Sequence, residues 1–346
     1  MTKIGLIGCG AVADFGHLPA IAETPGLELV AVVDPNPEAA RRAAERFPHT
    51  VACTDSETFF AVGRDRGMQA VTIASPAPAH LTNVRDAAAY GLHILCEKPL
   101  GTDEAQIREM IDLTDRAGVR LATALCYRYS PVAQRIRELV EHRAIGDIRV
   151  LRLIYLWNLH GKYFFDKEGG RFESPLRIGR MREGGPMTDC GVHQIDLACW
   201  WLQSDVERQQ AVAAWVDNDY EAPDHVWLHL DHRCGAHSHI EMAFSYTHTA
   251  AEPVSLFTYE LIGTEGLIKY DRDGWRFSVR HGFGTDHLPG ASEKNFHGMY
   301  AAWRDALTTG DFRHLPSAED GLRITRIAEE AVRSAITDRA QRRNLS

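Results

Sequence analysis

A glycine-rich turn set between an apolar strand and a helical pattern constrains this chain more than any other feature. It lies in "KIGLIGCGAVADFGHLPAIAE", residues 3–23, and reads Gly8-x-Gly10-x-x-Ala13. Gly8 permits the tight turn, Gly10 lets a pyrophosphate approach the backbone, and a small residue at 13 lets the helix pack close to the strand. The helix start then points free N–H groups at phosphate. Such a turn is common by itself, so its surroundings decide its meaning. The next strand, "LELVAVVD", ends in Asp34, where a carboxylate can accept hydrogen bonds from ribose hydroxyls. Strand, glycine turn, helix, strand and acid follow in order, and together they predict a dinucleotide-binding unit.

The alternation continues. Helices are predicted over 36–46, 78–90 and 103–117, and strands over 69–73, 92–96 and 119–123. This is the pattern of an α/β doubly wound parallel sheet, a Rossmann domain, whose carboxyl strand edge carries the site. One strand runs "HILC" into Glu97, Lys98 and Pro99. Lys98 is therefore delivered to that edge, and Pro99 restricts the backbone just before it.

From about residue 124 the pattern changes. A helix is predicted over 131–142, then β-rich runs over 147–161, 208–217, 224–233, 235–247, 255–271 and 275–281. The alternation Val226, Leu228, Leu230 predicts a sheet with one covered face. Further helices are predicted after Gly184-Gly185-Pro186, over 295–308 and over 317–338, with a solvated tail at the end. The expected domains are 1–123, a Rossmann domain, and 124–346, an α+β domain with a large open, mainly antiparallel sheet. The second would serve substrate binding and oligomerisation, with a C-terminal helix able to pack back on the first. The segment 160–185 reads as a long loop, two Lys and four Arg against Asp166, Glu168, Glu173 and Glu183. Such a loop is either solvated or a lid whose arginines grip an anionic or heavily hydroxylated substrate.

Asp189 and His193 lie four apart in "GGPMTDCGVHQIDLACWWL", hence on one helix face. They read either as a proton-handling pair or as a capping aspartate beside a core histidine, and spacing alone favours the second.

Taken together, Gly8-x-Gly10-x-x-Ala13, "CEKPLG", "YRYSP" and "GGPMTDCGVHQID", in that order along nearly the whole chain, resemble the Gfo/Idh/MocA family. That family is named for glucose–fructose oxidoreductase, inositol dehydrogenase and a rhizopine-catabolism protein. The resemblance implies hydride transfer between NAD and a hydroxyl-bearing carbon of a sugar, glycoside or inositol. It implies Lys98, Asp189 and His193 as catalytic residues. Gly8, Gly10, Ala11, Val12, Asp34, Ser75, Pro76, His80, Glu97 and Lys98 are its implied cofactor contacts. Tyr127, His160, Arg177, Arg180 and His297 would join the catalytic three at the substrate. An NAD-retaining glycosidase would use the same groups, and a non-catalytic sensor is disfavoured because both Lys98 and His193 are present.

Composition bounds the rest. A net charge of −9 points to neither nucleic acid nor an anionic membrane. No apolar run reaches spanning length, and "MTKIGLIGCG" enters a strand at once without a leader pattern. The seven cysteines form no C-x-x-C pair, so reduced cytoplasmic thiols and no metal are expected. A homodimer or homotetramer is expected, because a broad open sheet face needs cover.

Overall fold

The computed structural model describes residues 1–343. Its first sheet has six parallel strands: β1 (Thr2–Ile7), β2 (Leu27–Val33), β3 (Val51–Cys53), β4 (Ala70–Ile73), β5 (His93–Cys96) and β6 (Leu121–Thr123). Their order is β3-β2-β1-β4-β5-β6, so the strand sequence reverses between β1 and β4, where such folds bind ligands. The connecting helices are α1 (Leu18–Glu23), α2 (Pro37–Ala44), α3 (Ser56–Arg66), α4 (His80–Ala89) and α5 (Glu104–Ala117). Local chemistry starts and stops them. Asn36, Asp55 and Asp103 accept backbone N–H bonds as N-caps of α2, α3 and α5, and Gly67 and Gly118 close α3 and α5 in the left-handed conformation. The β3–α3 pair was not anticipated. The strand is three residues long, and α3 has too weak an apolar stripe to read as a helix.

The chain next forms α6 (Pro131–Glu141) and β7 (Ile148–Leu156), then a small hairpin of β8 (Tyr163–Phe165) and β9 (Arg171–Glu173), then α7 (Pro175–Arg182). After α8 (Val192–Leu202) come β10 (Val206–Ala214), β11 (His225–His232), β12 (His237–Ala243), β13 (Leu256–Gly263), β14 (Gly266–Asp271), β15 (Arg276–His281) and β16 (Gly284–Pro289). The predicted run 255–271 is thus a hairpin, turned at Thr264 and Glu265. These strands make an eight-stranded sheet in the order β10-β11-β12-β7-β13-β14-β15-β16. Only β12 and β7 pair in parallel; the other neighbours are antiparallel. Val226, Leu228 and Leu230 are fully buried and alternate with half-exposed residues, so one face is covered as predicted. α8 packs on that face, where Trp201 meets Tyr259 edge-on and donates its indole N–H to Ala133 of α6.

The chain ends with α9 (Phe296–Thr309) and α10 (Ala318–Arg343). Two compact units result. One comprises 1–129 and 294–325, the other 130–293 and the segment from Arg326 onward. The predicted solvated tail is helical through Arg343, and its last three residues lie outside the described part. Among the described residues no helix is long and apolar enough to cross a membrane.

Candidate active site

In the parallel-sheet unit, β1, β2, β4 and β5 all end at one edge, and four candidate segments follow them. Gly8, after β1, has φ +93°, and a Cβ there would lie 2.6 Å from the Ser75 nitrogen. Only glycine fits, because the turn must press against the segment after β4. Gly10 is exposed, and a Cβ on it would meet nothing within 4 Å, so the backbone there is open to a ligand. Ala11 is exposed and Val12 half-buried beside it, and Ala13 is fully buried under the helix start. The helix opens with a π-helical turn at Ala13–His17, a device often found at functional sites. Asp34, after β2, is tied to the turn. Its Oδ2 accepts from Cys9 N at 2.8 Å and its Oδ1 from Asn36 N at 2.8 Å. Burial, then the charges of Asp34 and Asp14, push the Cys9 thiol up to about 12, so it stays a neutral packing group. A cradle that a Cβ would fill, an open glycine and a held carboxylate fit a dinucleotide.

After β4, Ser75 is half-buried and Pro76 exposed. His80 is only 1% exposed. Its ring nitrogens lie 2.8 Å from Ser75 O and 3.1 Å from Leu100 O, so it ties the segment after β4 to the one after β5.

After β5, Glu97 turns back into the protein. It is 6% exposed; its Oε1 accepts from His17 Nε2 at 3.0 Å and its Oε2 from the Lys98 backbone N at 3.1 Å. The other ring nitrogen of His17 lies 2.9 Å from the Tyr300 hydroxyl, which is 3.0 Å from Thr72 Oγ1. Burial alone would raise the Glu97 pKa. The His17 hydrogen bond and charge, with Lys98, outweigh it and hold the carboxyl below its ordinary range. The strand end that presents half-buried Lys98, through a cis Lys98–Pro99 peptide, is anchored by this buried chain. His17 and Tyr300 were not picked out from sequence. A signal existed, since His17 is the one polar residue between Phe15 and Ile21, in an otherwise apolar stretch. Elsewhere in this unit, Tyr127 is buried in the 3₁₀ turn Cys126–Tyr129. His297 is exposed on the first turn of α9, 2.9 Å from Glu23.

In the other unit, Asp189 sits in a second π-helical turn, Met187–Gly191, which runs directly into α8 with His193. His193 is 5% exposed, and the Asp189 side chain is 12% exposed. Asp189 Oδ1 lies 3.8 Å from Arg180 Nε, and Arg180 also pairs with Glu183 at 2.7 Å. The arginine expected in the 160–185 lid therefore stands beside the candidate acid. Arg177 does not. It is fully buried, donates to Phe244 O at 2.7 Å and to Ser245 Oγ, and pairs with Asp217 at 3.4 Å and Asp224 at 3.7 Å. The expectation that Arg177 reaches substrate is corrected: its guanidinium clamps α7 to neighbouring segments. His160 is exposed, with φ +62°, and meets Trp157 edge-on.

A six-stranded doubly wound sheet with this glycine turn and acid is the architecture of a dinucleotide-binding protein. Residues 2–125 match the family model described as "Oxidoreductase family, NAD-binding Rossmann fold", and residues 133–269 match the GFO/IDH/MocA C-terminal domain. The chain belongs to the Gfo/Idh/MocA family and is an NAD-binding oxidoreductase. A dTDP-3,4-didehydro-2,6-dideoxy-α-D-glucose 3-reductase of Streptomyces violaceoruber is 29% identical, over 78% of this chain and 72% of its own. A D-apiose dehydrogenase of Paraburkholderia graminis is 28% identical, over 82% of this chain and 71% of its own. An Agrobacterium radiobacter oxidoreductase, solved with NAD⁺, L-tartaric acid and magnesium, superposes with TM-score 0.80 at 23% identity over 96% of each chain, which shows the shared fold.

Proposed function

We propose that the protein transfers hydride between NAD and one hydroxyl-bearing carbon of a sugar, glycoside or inositol, and that Lys98, Asp189 and His193 carry the chemistry. The observation that carries this reading is the anchored Glu97–Lys98 strand end, on the same sheet edge as the glycine turn and Asp34. Support for the substrate class comes from the relatives, one named for a dTDP-deoxysugar and another for D-apiose.

When bound, NAD would supply the hydride acceptor. The chain's own residues would do the rest. His193 takes the hydroxyl proton as the C–H electron pair leaves the same carbon, a general-base contribution of ~10²–10⁴ in rate. The Lys98 ammonium steadies negative charge developing on that oxygen, worth ~10²–10³. Asp189 keeps the pair in its working charge state, and Arg180 beside it favours an anionic or heavily hydroxylated substrate.

Asp34 favours NAD over NADP, because a carboxylate already fixed by two backbone N–H groups repels a 2′-phosphate. A better kcat/KM with NADP would reverse this assignment. We further propose a homodimer or homotetramer, supported by the half-exposed outer face that β13, β14 and β15 give the eight-stranded sheet and checked by light scattering. A cytoplasmic location is supported by seven cysteines with no disulfide among the described residues and checked by cell fractionation.

The test is an NADH-fluorescence screen against pyranosides, inositols and sugar acids, followed by Lys98→Met on the substrate found. The variant should lose at least ~10² in kcat while still binding NAD. His193→Ala should do likewise, and the double variant should lose far less than the product of the two. Near-normal turnover by Lys98→Met would sink the assignment. Aglycone release without NADH would indicate a redox-recycling glycosidase instead.

A further inference from the structure

The outer face of β11 and β12 carries a histidine cluster that hydride transfer does not use. His229 is in register with His239, and Asp231 with His237, so three imidazoles and a carboxylate share one face of two adjacent antiparallel strands. His229 Nδ1 lies 3.2 Å from His237 Nε2. The His229 and His239 rings are stacked with centroids 5.0 Å apart. His237 Nδ1 is 2.7 Å from Asp231 Oδ1, and Asp231 Oδ2 is in turn held by Arg208 at 2.7 Å.

This arrangement has a specific chemical meaning. A carboxylate accepts only, so Asp231 fixes the proton of His237 on Nδ1 and leaves the Nε2 lone pair aimed at His229. Two imidazole nitrogens on one tetrahedral zinc, each ~2.0–2.1 Å from the ion, stand about 3.3 Å apart. His229 Nδ1 and His237 Nε2, joined here by a hydrogen bond at 3.2 Å, stand at about that separation, so the ion would take the place of the proton between them. A carboxylate on the far nitrogen of a ligating histidine is the usual outer-sphere partner that orients such a ring.

We propose that His229 and His237 form a binding site for a divalent transition metal ion of the zinc type. His239 is the third ligand after a side-chain rotation, and Asp231 is the positioning carboxylate. Imidazole nitrogens select zinc, copper or nickel over magnesium or calcium. Arg152, in register with His239, does not block the site, because its guanidinium is paired with Glu260 at 2.7 Å. The acidic trio Glu173, Asp217 and Asp219 is a poorer candidate, since the Lys162 ammonium already pairs with Asp217 at 3.0 Å and Asp219 at 3.1 Å. The site lies wholly within one unit and is independent of the redox reading.

The experiment uses tag-free, metal-stripped full-length protein, titrated with Zn²⁺ by calorimetry and with Co²⁺ by visible absorption. One equivalent should bind, with the absorption of a nitrogen-ligated cobalt ion. His237→Ala and His229→Ala should each weaken binding at least tenfold. Asp231→Asn should weaken it by ~10–100-fold, as loss of an outer-sphere partner does. His287→Ala, on another strand, is the control and should change nothing. Circular dichroism verifies that each variant is folded; Asp231→Asn, which keeps the side-chain shape, serves if an alanine variant is not. Absence of saturable binding at sub-millimolar metal, or binding that survives in the His229→Ala/His237→Ala double variant, would overturn the proposal.

Discussion

Glu97 keeps its charge inside the protein because His17 and the Lys98 backbone N–H meet both of its oxygens. Removing one partner of such a buried pair costs more than the pair contributes, since a lone charge is left in a poorly solvating interior. His17→Ala should therefore destabilise the protein by about 3–5 kcal/mol, read as a fall in thermal midpoint. His17→Gln, which can still offer an N–H to Glu97, should recover part of it. If Glu97 and His17 anchor the lysine strand end, kcat should fall more than NAD affinity in both variants. A midpoint unchanged in His17→Ala would show that the carboxylate is satisfied some other way.

At the scale of an element, 160–185 is not a uniform solvated loop. It contains the β8–β9 hairpin and α7, and α7 commits Arg177 and Arg180 to opposite tasks. Arg177 is locked among Asp217, Asp224, Ser245 and the Phe244 carbonyl, while Arg180 stands partly exposed beside Asp189. Arg177→Gln should leave buried carboxylates under-compensated and lower the thermal midpoint. Arg180→Gln should leave the midpoint nearly unchanged and raise KM for the true substrate without altering NAD affinity. Calorimetry and steady-state kinetics on the two variants distinguish these outcomes. Equal loss of stability in both would mean that the helix acts only as a strut.

From neutral pH into acid, the shifts of the buried histidines and carboxylates act with one sign. Burial pushes His80, His93 and His248 below their ordinary value of 6.5. The unfolded chain protonates these rings near 6.5 while the folded chain resists, so their stabilising effect is complete above that pH and is lost as pH falls through the folded values. Glu97, Asp217 and Asp320 also have depressed values, and their contribution disappears further into acid. The thermal midpoint should fall steadily from pH 7 to about pH 5. A midpoint that rises on acidification would contradict the burial of these groups.

The features legible in the sequence are those whose cause is local. Gly8 marks a turn because no other residue fits that backbone, Gly10 leaves the backbone beside it open to a ligand, and Val226, Leu228 and Leu230 mark a covered face because strands alternate every second residue. Lys98 at a strand end and Asp189 and His193 on one helical run follow from the same short-range rules. Tertiary structure decided what distant residues do to one another. His17 meets Glu97 across 80 positions, and Tyr300 across 283. Arg177 is buried by partners 40 and 68 residues away, so its charge marked it for the surface until the sheet enclosed it. Helical and strand periods are set within a few residues by backbone sterics, whereas a buried charge is tolerated only where the completed fold brings its counter-charges to it.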